Sequence, residues 1–148
     1  MRGTGFEEIE HPSDIRIKFN GKTMEELFEN AGLGMFSMIT DLSKIRAVKK
    51  IKISLSVESS RPEDLLVIWL EKILYYFEVE DMIFLKFDIK KIVFDNNGAN
   101  LSAEISGEKA DNKRHSIINM IKAPTYHLLN IREDKKKHLW NGKVIFDV

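Results

Sequence analysis

The sequence predicts an α+β fold in which two helices pack on one face of a largely antiparallel β-sheet. Two stretches repeat apolar residues at helical spacing, whereas the segments around them alternate apolar and polar residues, as strands with one buried face do. Beyond Asp81 no helical period recurs, and the strand-like segments are joined by short turns. Short turns favour antiparallel pairing of the strands that they connect.

The two helices have recognisable starts. The first is predicted over residues 24–40, with Thr23 as its N-cap and Glu26 as the reciprocal partner three residues later. The second is predicted to begin with Ser60 as N-cap and Pro62 in its first turn, followed by two acidic residues. Its apolar positions form a wide stripe, which indicates a face buried against the sheet.

The predicted strands surround these helices. They cover residues 14–20, 51–57, 83–94, 101–105, 125–131 and 138–148. Asn20-Gly21 and Asn96-Asn97-Gly98 are expected to form turns. Gly32 and Gly34 fall inside the first helical pattern, where we expect them to allow close packing rather than to cradle a phosphate.

The composition is that of one compact domain covering residues 1–148, with 43% hydrophobic and 31% charged residues. The absence of cysteine excludes thiolate metal ligation and a disulfide framework. The start of the chain is too acidic for a signal peptide, and no apolar run approaches the roughly 20 residues that span a bilayer. We therefore expect a cytoplasmic protein that does not bind membranes.

The net charge bears on nucleic-acid binding. The chain has 23 basic and 23 acidic residues, so it has no overall field to attract a polyanion. We expect any contact with RNA to be made through a partner. Arg132 and the run Lys135-Lys136-Lys137 form a basic segment between two predicted strands. Such a segment is more often a solvated hairpin tip than a phosphate-binding site.

Oxygen donors occur on the first and the last of the predicted strands. Asp14 lies at the start of the first strand, and Asp147 is followed by the carboxylate of Val148. If the first and last strands are neighbours, these groups converge into a set of hard donors that suits calcium, magnesium or manganese. An aspartate at a strand end is more often a turn former or a cap, so the alternative is structural.

A second set of polar residues has several possible roles. His11, His115 and His127 could be metal ligands, general bases or structural hydrogen-bonding groups, and they lack the close spacing of a zinc site. Lys122, with Tyr126 and His127 after it, could bind phosphate or transfer protons, because lysine supplies charge and imidazole titrates near neutrality. The alternative is a strand whose polar residues face water.

A series of short motifs runs along the chain. In order, they are His11-x-x-Asp14-Ile15, Gly21-Lys22-Thr23-x-x-Glu26-Leu27-Phe28, Leu66 to Trp69-Leu70, Gly107-Glu108, Arg114-His115, Lys122-Ala123-x-Thr125-Tyr126-His127 and Asp147-Val148. Taken together, these motifs resemble the archease family over nearly the whole chain. Two prolines depart from the family pattern. Pro12 stands in a motif that commonly reads His-Thr-Ala-Asp, and Pro124 removes a backbone donor from the second polar stretch.

The resemblance implies a protein that is not an enzyme but a cofactor of the RNA-splicing ligase, which joins cyclic-phosphate or 3'-phosphate ends to 5'-hydroxyl ends. Such a cofactor promotes guanylylation and multiple turnover of the ligase in tRNA splicing or RNA repair. By the same resemblance a divalent metal, calcium or else magnesium or manganese, is held by Asp14, Asp147 and Val148. The expected face toward the ligase and its nucleotide comprises His11, Glu108, His115, Lys122, Tyr126 and His127.

Two other classes of function remain open from the residues. One is a metal-dependent hydrolase or isomerase in which Asp14, Asp147 and histidines hold a catalytic ion, with Glu108 or His127 as the base. The other is a general chaperone or modulator of RNA-processing enzymes, which would need exposed apolar surface and several clients.

Overall fold

The computed structural model describes residues 5–9 and 14–148, which form seven strands, two α-helices and a short 3-10 turn. Their bounds are β1 (Phe6–Ile9), β2 (Ile15–Gly21), α1 (Met24–Ile39), the 3-10 turn (Leu42–Lys44), β3 (Lys49–Val57), α2 (Pro62–Glu80), β4 (Met82–Asp95), β5 (Gly98–Lys109), β6 (Ala123–Asp134) and β7 (Leu139–Asp147). The α+β class and the antiparallel pairing are confirmed.

The strands divide into two sheets rather than the single sheet predicted. Sheet A has the order β1-β2-β7-β6, and sheet B has the order β3-β5-β4. Helix α1 contacts β1, β2 and β7 of sheet A and β4 of sheet B, while α2 contacts β6, β4 and β3. Alternation along a strand tells which face is buried, but not which strands are neighbours, so the division could not be read from the pattern.

Aromatic side chains join the helices to sheet B. Phe36 of α1 packs edge-on against Phe77 of α2 and Phe84 of β4, with ring centroids 6.1 and 5.7 Å apart. Trp69 of α2 is fully buried, and its indole N–H donates to the carbonyl oxygen of Phe28 at 2.9 Å. A Cβ on Gly32 would lie 2.9 Å from the ring of Phe87, so this glycine permits close packing, as predicted.

The helix starts confirm one predicted cap and correct the other. Thr23 accepts a hydrogen bond from the backbone of Glu26 at 3.1 Å, and Glu26 in turn accepts from the Lys22 amide at 2.9 Å. The predicted cap at Ser60 is wrong, because α2 begins at Pro62 and its N-cap is Arg61, without a side-chain cap. Proline drives the residue before it into the extended region, and Arg61 has φ −80° and ψ 126°.

Strand β7 occupies the middle of sheet A, between β2 and β6. Its register with β2 runs from Ile15 opposite Phe146 to Gly21 opposite Trp140. The first and last predicted strands are therefore neighbours. The four-residue β1 was not predicted, because its short acidic sequence has too few alternations to indicate a strand. No helix in the described part of the chain is both long and apolar enough to cross a membrane.

Candidate functional site

The pairing of β2 with β7 brings Asp14 and Asp147 to adjacent strand ends. Ile15 lies opposite Phe146, so the two aspartates occupy the next positions in the same register. Val148 follows directly and is 47% exposed. The Lys122 amide donates to the Asp147 carbonyl oxygen at 2.8 Å, which fixes the start of β6 beside the end of β7. We call Asp14, Asp147 and Val148 the acidic end of sheet A.

The donors of the acidic end suit a hard cation in their chemistry. Calcium takes six to eight oxygen ligands, so two carboxylates would need main-chain oxygens and water as well. Over residues 5–9 and 14–148, no three histidine, aspartate or glutamate side chains converge as a complete metal cage would require. Asp14 Oδ1 also accepts from Arg16 Nε at 3.3 Å, so a cation would compete with this guanidinium. His11 lies outside the described residues.

Glu108, predicted as part of a contact face, is instead the centre of a buried cluster at the end of β5. Its Oε2 accepts from the Arg46 amide at 2.7 Å, and its Oε1 contacts the Arg114 guanidinium. Burial alone would raise the pKa of Glu108, but the Arg46 hydrogen bond and the Arg114 contact outweigh it and hold the pKa below its ordinary value. The carboxylate thus joins three segments of chain.

His115 is held in one tautomer within this cluster. Its Nδ1 accepts from the Asp111 amide at 2.9 Å, so the ring proton resides on Nε2. Nε2 lies 3.0 Å from the Lys44 carbonyl oxygen and 3.2 Å from Glu108 Oε2. With both nitrogens engaged and the side chain buried, His115 has a structural role in this conformation. Glu108 and His115 face inward, and Arg114, 31% exposed, is the member that reaches the surface.

The three remaining predicted residues are exposed. Lys122 lies beside the acidic end, whereas Tyr126 and His127 lie where the β6–β7 register shifts. Although the Tyr126 side chain is 56% exposed, loss of water around its hydroxyl and the nearby carboxylate of Asp64 raise its pKa. The Tyr126 hydroxyl therefore lies near Asp64, at the start of α2.

An exposed apolar loop precedes Lys122 and was missed from the sequence. Ile117, Ile118 and Met120 are 39%, 64% and 62% exposed. The loop is nevertheless fastened to the end of α1: the Ile118 amide donates to the Ile39 carbonyl oxygen at 2.7 Å, and Asn119 Nδ2 donates to that of Met38 at 2.7 Å. These bonds satisfy carbonyl groups that a helix end leaves unpaired.

The only signal for this loop in the sequence is a run of large apolar residues, between two polar motifs, that fits neither a strand nor a helix period. Large apolar side chains that cluster in solvent on such a fastened loop mark a contact surface. We call Ile117, Ile118 and Met120 the apolar loop. It leads directly into Lys122, so it borders the acidic end.

Comparison with known proteins gives a family for this arrangement. The family model described as Archease protein family (MTH1598/TM1083) matches residues 6–148. The chain is 36% identical over 147 residues to protein archease of Methanosarcina mazei, covering 99% of this chain and 98% of that protein. It is 40% identical over 134 residues to protein archease of Saccharolobus solfataricus, covering 90% and 93%.

A solved structure has the same fold. The solution structure of Methanobacterium thermoautotrophicum protein 1598 superposes with a TM-score of 0.82 at 29% identity, covering 99% of this chain and all of that one. The match thus extends over the same elements that form the acidic end and the buried Glu108 cluster. From the family match and the identities to its relatives, the chain belongs to the archease protein family.

Proposed function

We propose that this protein is a non-enzymatic activator of the RNA-splicing ligase, promoting its guanylylation and multiple turnover in tRNA splicing or RNA repair. Family membership supports this function. The β2–β7 register connects this function with particular residues, because it sets Asp14 and Asp147 at neighbouring strand ends. Positioning and charge neutralisation dominate nucleotidyl transfer, and a cation held at the acidic end would contribute to both.

The residues that would hold a divalent metal are Asp14, Asp147 and Val148. The metal, calcium or else magnesium or manganese, would supply positive charge for nucleotide phosphates. The surrounding residues fix these donors. Arg16 orients the Asp14 carboxylate through its contact at 3.3 Å, and the Lys122 amide holds the Asp147 backbone at 2.8 Å. The donor set is thus supported by groups of the chain itself.

The surface next to the acidic end would contact the ligase. The apolar loop offers large side chains on a backbone that hydrogen bonds already fasten to α1, so little backbone entropy is lost on binding. Lys122 is exposed beside it, and the buried Glu108 holds the partly exposed Arg114. Apolar anchors with a charged rim are typical of protein interfaces. The setting would be the cytoplasm, with which a cysteine-free chain is compatible.

The first experiment measures guanylylation of a purified cognate ligase with GTP and manganese under multiple-turnover conditions, with and without this protein. We expect stimulation by the parent, and loss of stimulation with Asp14→Ala and with Asp147→Ala. The matched control is Glu58→Ala, which removes an exposed carboxylate near Ala99 at the far end of sheet B. An Asp14→Ala protein that is folded and stimulates as well as the parent would contradict the proposed site.

The apolar loop also favours a second candidate, a general chaperone. In that case the protein would suppress aggregation of several unrelated clients, and replacement of Ile118 and Met120 with serine would abolish the effect. Protection of the ligase alone, with no effect on other aggregating proteins, would count against this candidate. Light scattering of heated client proteins, with and without the double variant, distinguishes the two.

A further inference from the structure

An open cleft of about 1030 Å³ lies away from the acidic end, toward the other end of sheet A. Two rows of side chains form one side of it, each crossing β2, β7 and β6: Lys18, Lys143 and Asn130 in the first row, and Asn20, Asn141 and Arg132 in the second. We call these six residues the Lys-Asn grid. The first row begins four residues after Asp14, roughly 13 Å along the strand, so the grid is separate from the acidic end.

The grid contains an unfavourable pair of charges. Lys18 and Lys143 are direct cross-strand partners, and like charges directly opposite one another destabilise a sheet. Over residues 5–9 and 14–148, no carboxylate oxygen lies within 4.0 Å of either ammonium group or of the Arg132 guanidinium. Glu7 is opposite Lys18 in register but does not form an ion pair with it. An anion bound between the cations would relieve their repulsion.

The carboxylates on the α1 side of the cleft are already engaged. Glu26 Oε1 accepts from the Lys22 amide, and Glu29 Oε2 accepts from the Ile89 amide, each at 2.9 Å. The cations, in contrast, lie on the side formed by β2, β7 and β6. The lining thus holds three cations, on β2, β7 and β6, and three carboxylates, of Glu26 and Glu29 on α1 and of Glu7 on β1, so the cations and the carboxylates lie on different elements.

Carboxamides lie beside these cations. Asn20 and Asn141 face each other across β2 and β7, next to the two lysines, and the rows are separated by roughly 7 Å along the strands. A carboxamide both donates and accepts hydrogen bonds, so it can bind a sugar hydroxyl or the edge of a base. The three cations have the charge to bind a phosphate, and the carboxamides can form hydrogen bonds with the polar group attached to it.

We propose that the Lys-Asn grid binds the phosphate of a nucleotide, either free or within an RNA strand. Lys18, Lys143 and Arg132 contact the phosphate, and the Asn20 and Asn141 side chains contact the attached sugar or base. The equal numbers of acidic and basic residues in the whole chain give no sign of this site, because only the pairing of β2, β7 and β6 brings the three cations together. The site does not depend on the proposed ligase partner or on a metal.

The test uses fluorescence anisotropy with methylanthraniloyl-ATP and, separately, a short fluorescein-labelled oligouridylate. Both are titrated with the full protein in EDTA, so that divalent metal at the acidic end makes no contribution. We expect at least one probe to bind, and Lys18→Gln combined with Lys143→Gln to weaken binding by roughly tenfold for each lysine, as expected for charge-assisted contacts. Lys86→Gln, an exposed lysine on sheet B, is the matched control and should bind as the parent does.

A second measurement guards against misfolding. Because the double variant removes a like-charge pair, its thermal unfolding midpoint should equal or exceed that of the parent. Binding of methylanthraniloyl-ATP alone would identify a free nucleotide as the ligand, and binding of the oligouridylate would identify an RNA strand. The proposal is overturned if neither probe binds, or if the folded double variant binds as tightly as the parent.

Discussion

Replacing Glu108 with alanine should destabilise the protein by about 3 kcal/mol, because its carboxylate joins three segments of chain. The carboxylate accepts from the Arg46 amide at 2.7 Å, contacts Arg114, and lies 3.2 Å from His115 Nε2. Breaking a buried charged pair costs about 3–5 kcal/mol. We expect the lower value, since the Arg114 side chain is 31% exposed and regains water when its partner is removed.

Thermal unfolding measures this loss. For a chain of this length, about 3 kcal/mol corresponds to a fall in Tm of roughly 6–12 °C. The matched control is Glu104→Ala on the same strand, because Glu104 pairs at 3.8 Å with Lys50, whose side chain is 71% exposed. Such a surface pair is worth less than about 1 kcal/mol. Equal changes in Tm for the two variants would refute the role assigned to the buried cluster.

The pH dependence of the same difference gives a second check. The pKa of folded Glu108 is held below its ordinary value of 4.5, so its contribution to stability is fully present above pH 4.5. That contribution is lost as the pH falls through the lowered folded value. The difference in stability between the parent and Glu108→Ala should therefore shrink in acid. A difference that grows as the pH falls would contradict this sign.

Three further changes test the fold. Thr23→Ala should cost about 1 kcal/mol in urea unfolding by removing the cap of α1, and an unchanged midpoint would show that the cap is dispensable. Gly107→Ala should cost at least about 3 kcal/mol in the same assay, because its Cβ would lie 1.9 Å from the Ile83 carbonyl oxygen. Burial raises the pKa of Glu29, so its contribution to stability is present below pH 4.5 and lost as the pH rises through the raised folded value. Glu29→Gln, which can still accept from Ile89, should therefore gain stability relative to the parent as the pH rises from 4 to 7, as measured by thermal unfolding; no relative gain would contradict the raised pKa.

Local patterns in the sequence predicted most elements of the fold. The capping pair Thr23 and Glu26 marked the start of α1, and alternation marked every strand except β1, with ends that differ by a few residues. The Ser60 cap failed because the effect of Pro62 on its neighbour outweighed the preference of serine for caps. Alternation also gave no means to separate the two sheets, since pairing depends on residues far apart in the chain.

The candidate site was predictable only where it depended on the pairing of the first and last predicted strands. Asp14 and Asp147 were expected to be neighbours from the strands that carry them, and the β2–β7 register agrees. The burial of Glu108 was not foreseen, because the Arg46 amide that engages it is a backbone group, which leaves no mark in a sequence. A structural, hydrogen-bonded role was among the alternatives for His115, but the Lys44 carbonyl that it contacts could not be predicted. The apolar loop was missed because its side chains follow no period.

The central place of β7 in sheet A has a consequence for how the protein is made. Residues 15–21 pair with residues 140–146, so more than a hundred residues must leave the ribosome before β2 acquires its inner neighbour. Contacts of such sequence separation slow folding, because a long loop must close before they form. Until then β2 has an unpaired edge and an apolar face that α1 alone can cover. A nascent chain that stalls before residue 139 has no acidic end, so Asp14 acquires its neighbour only after β7 has been synthesised.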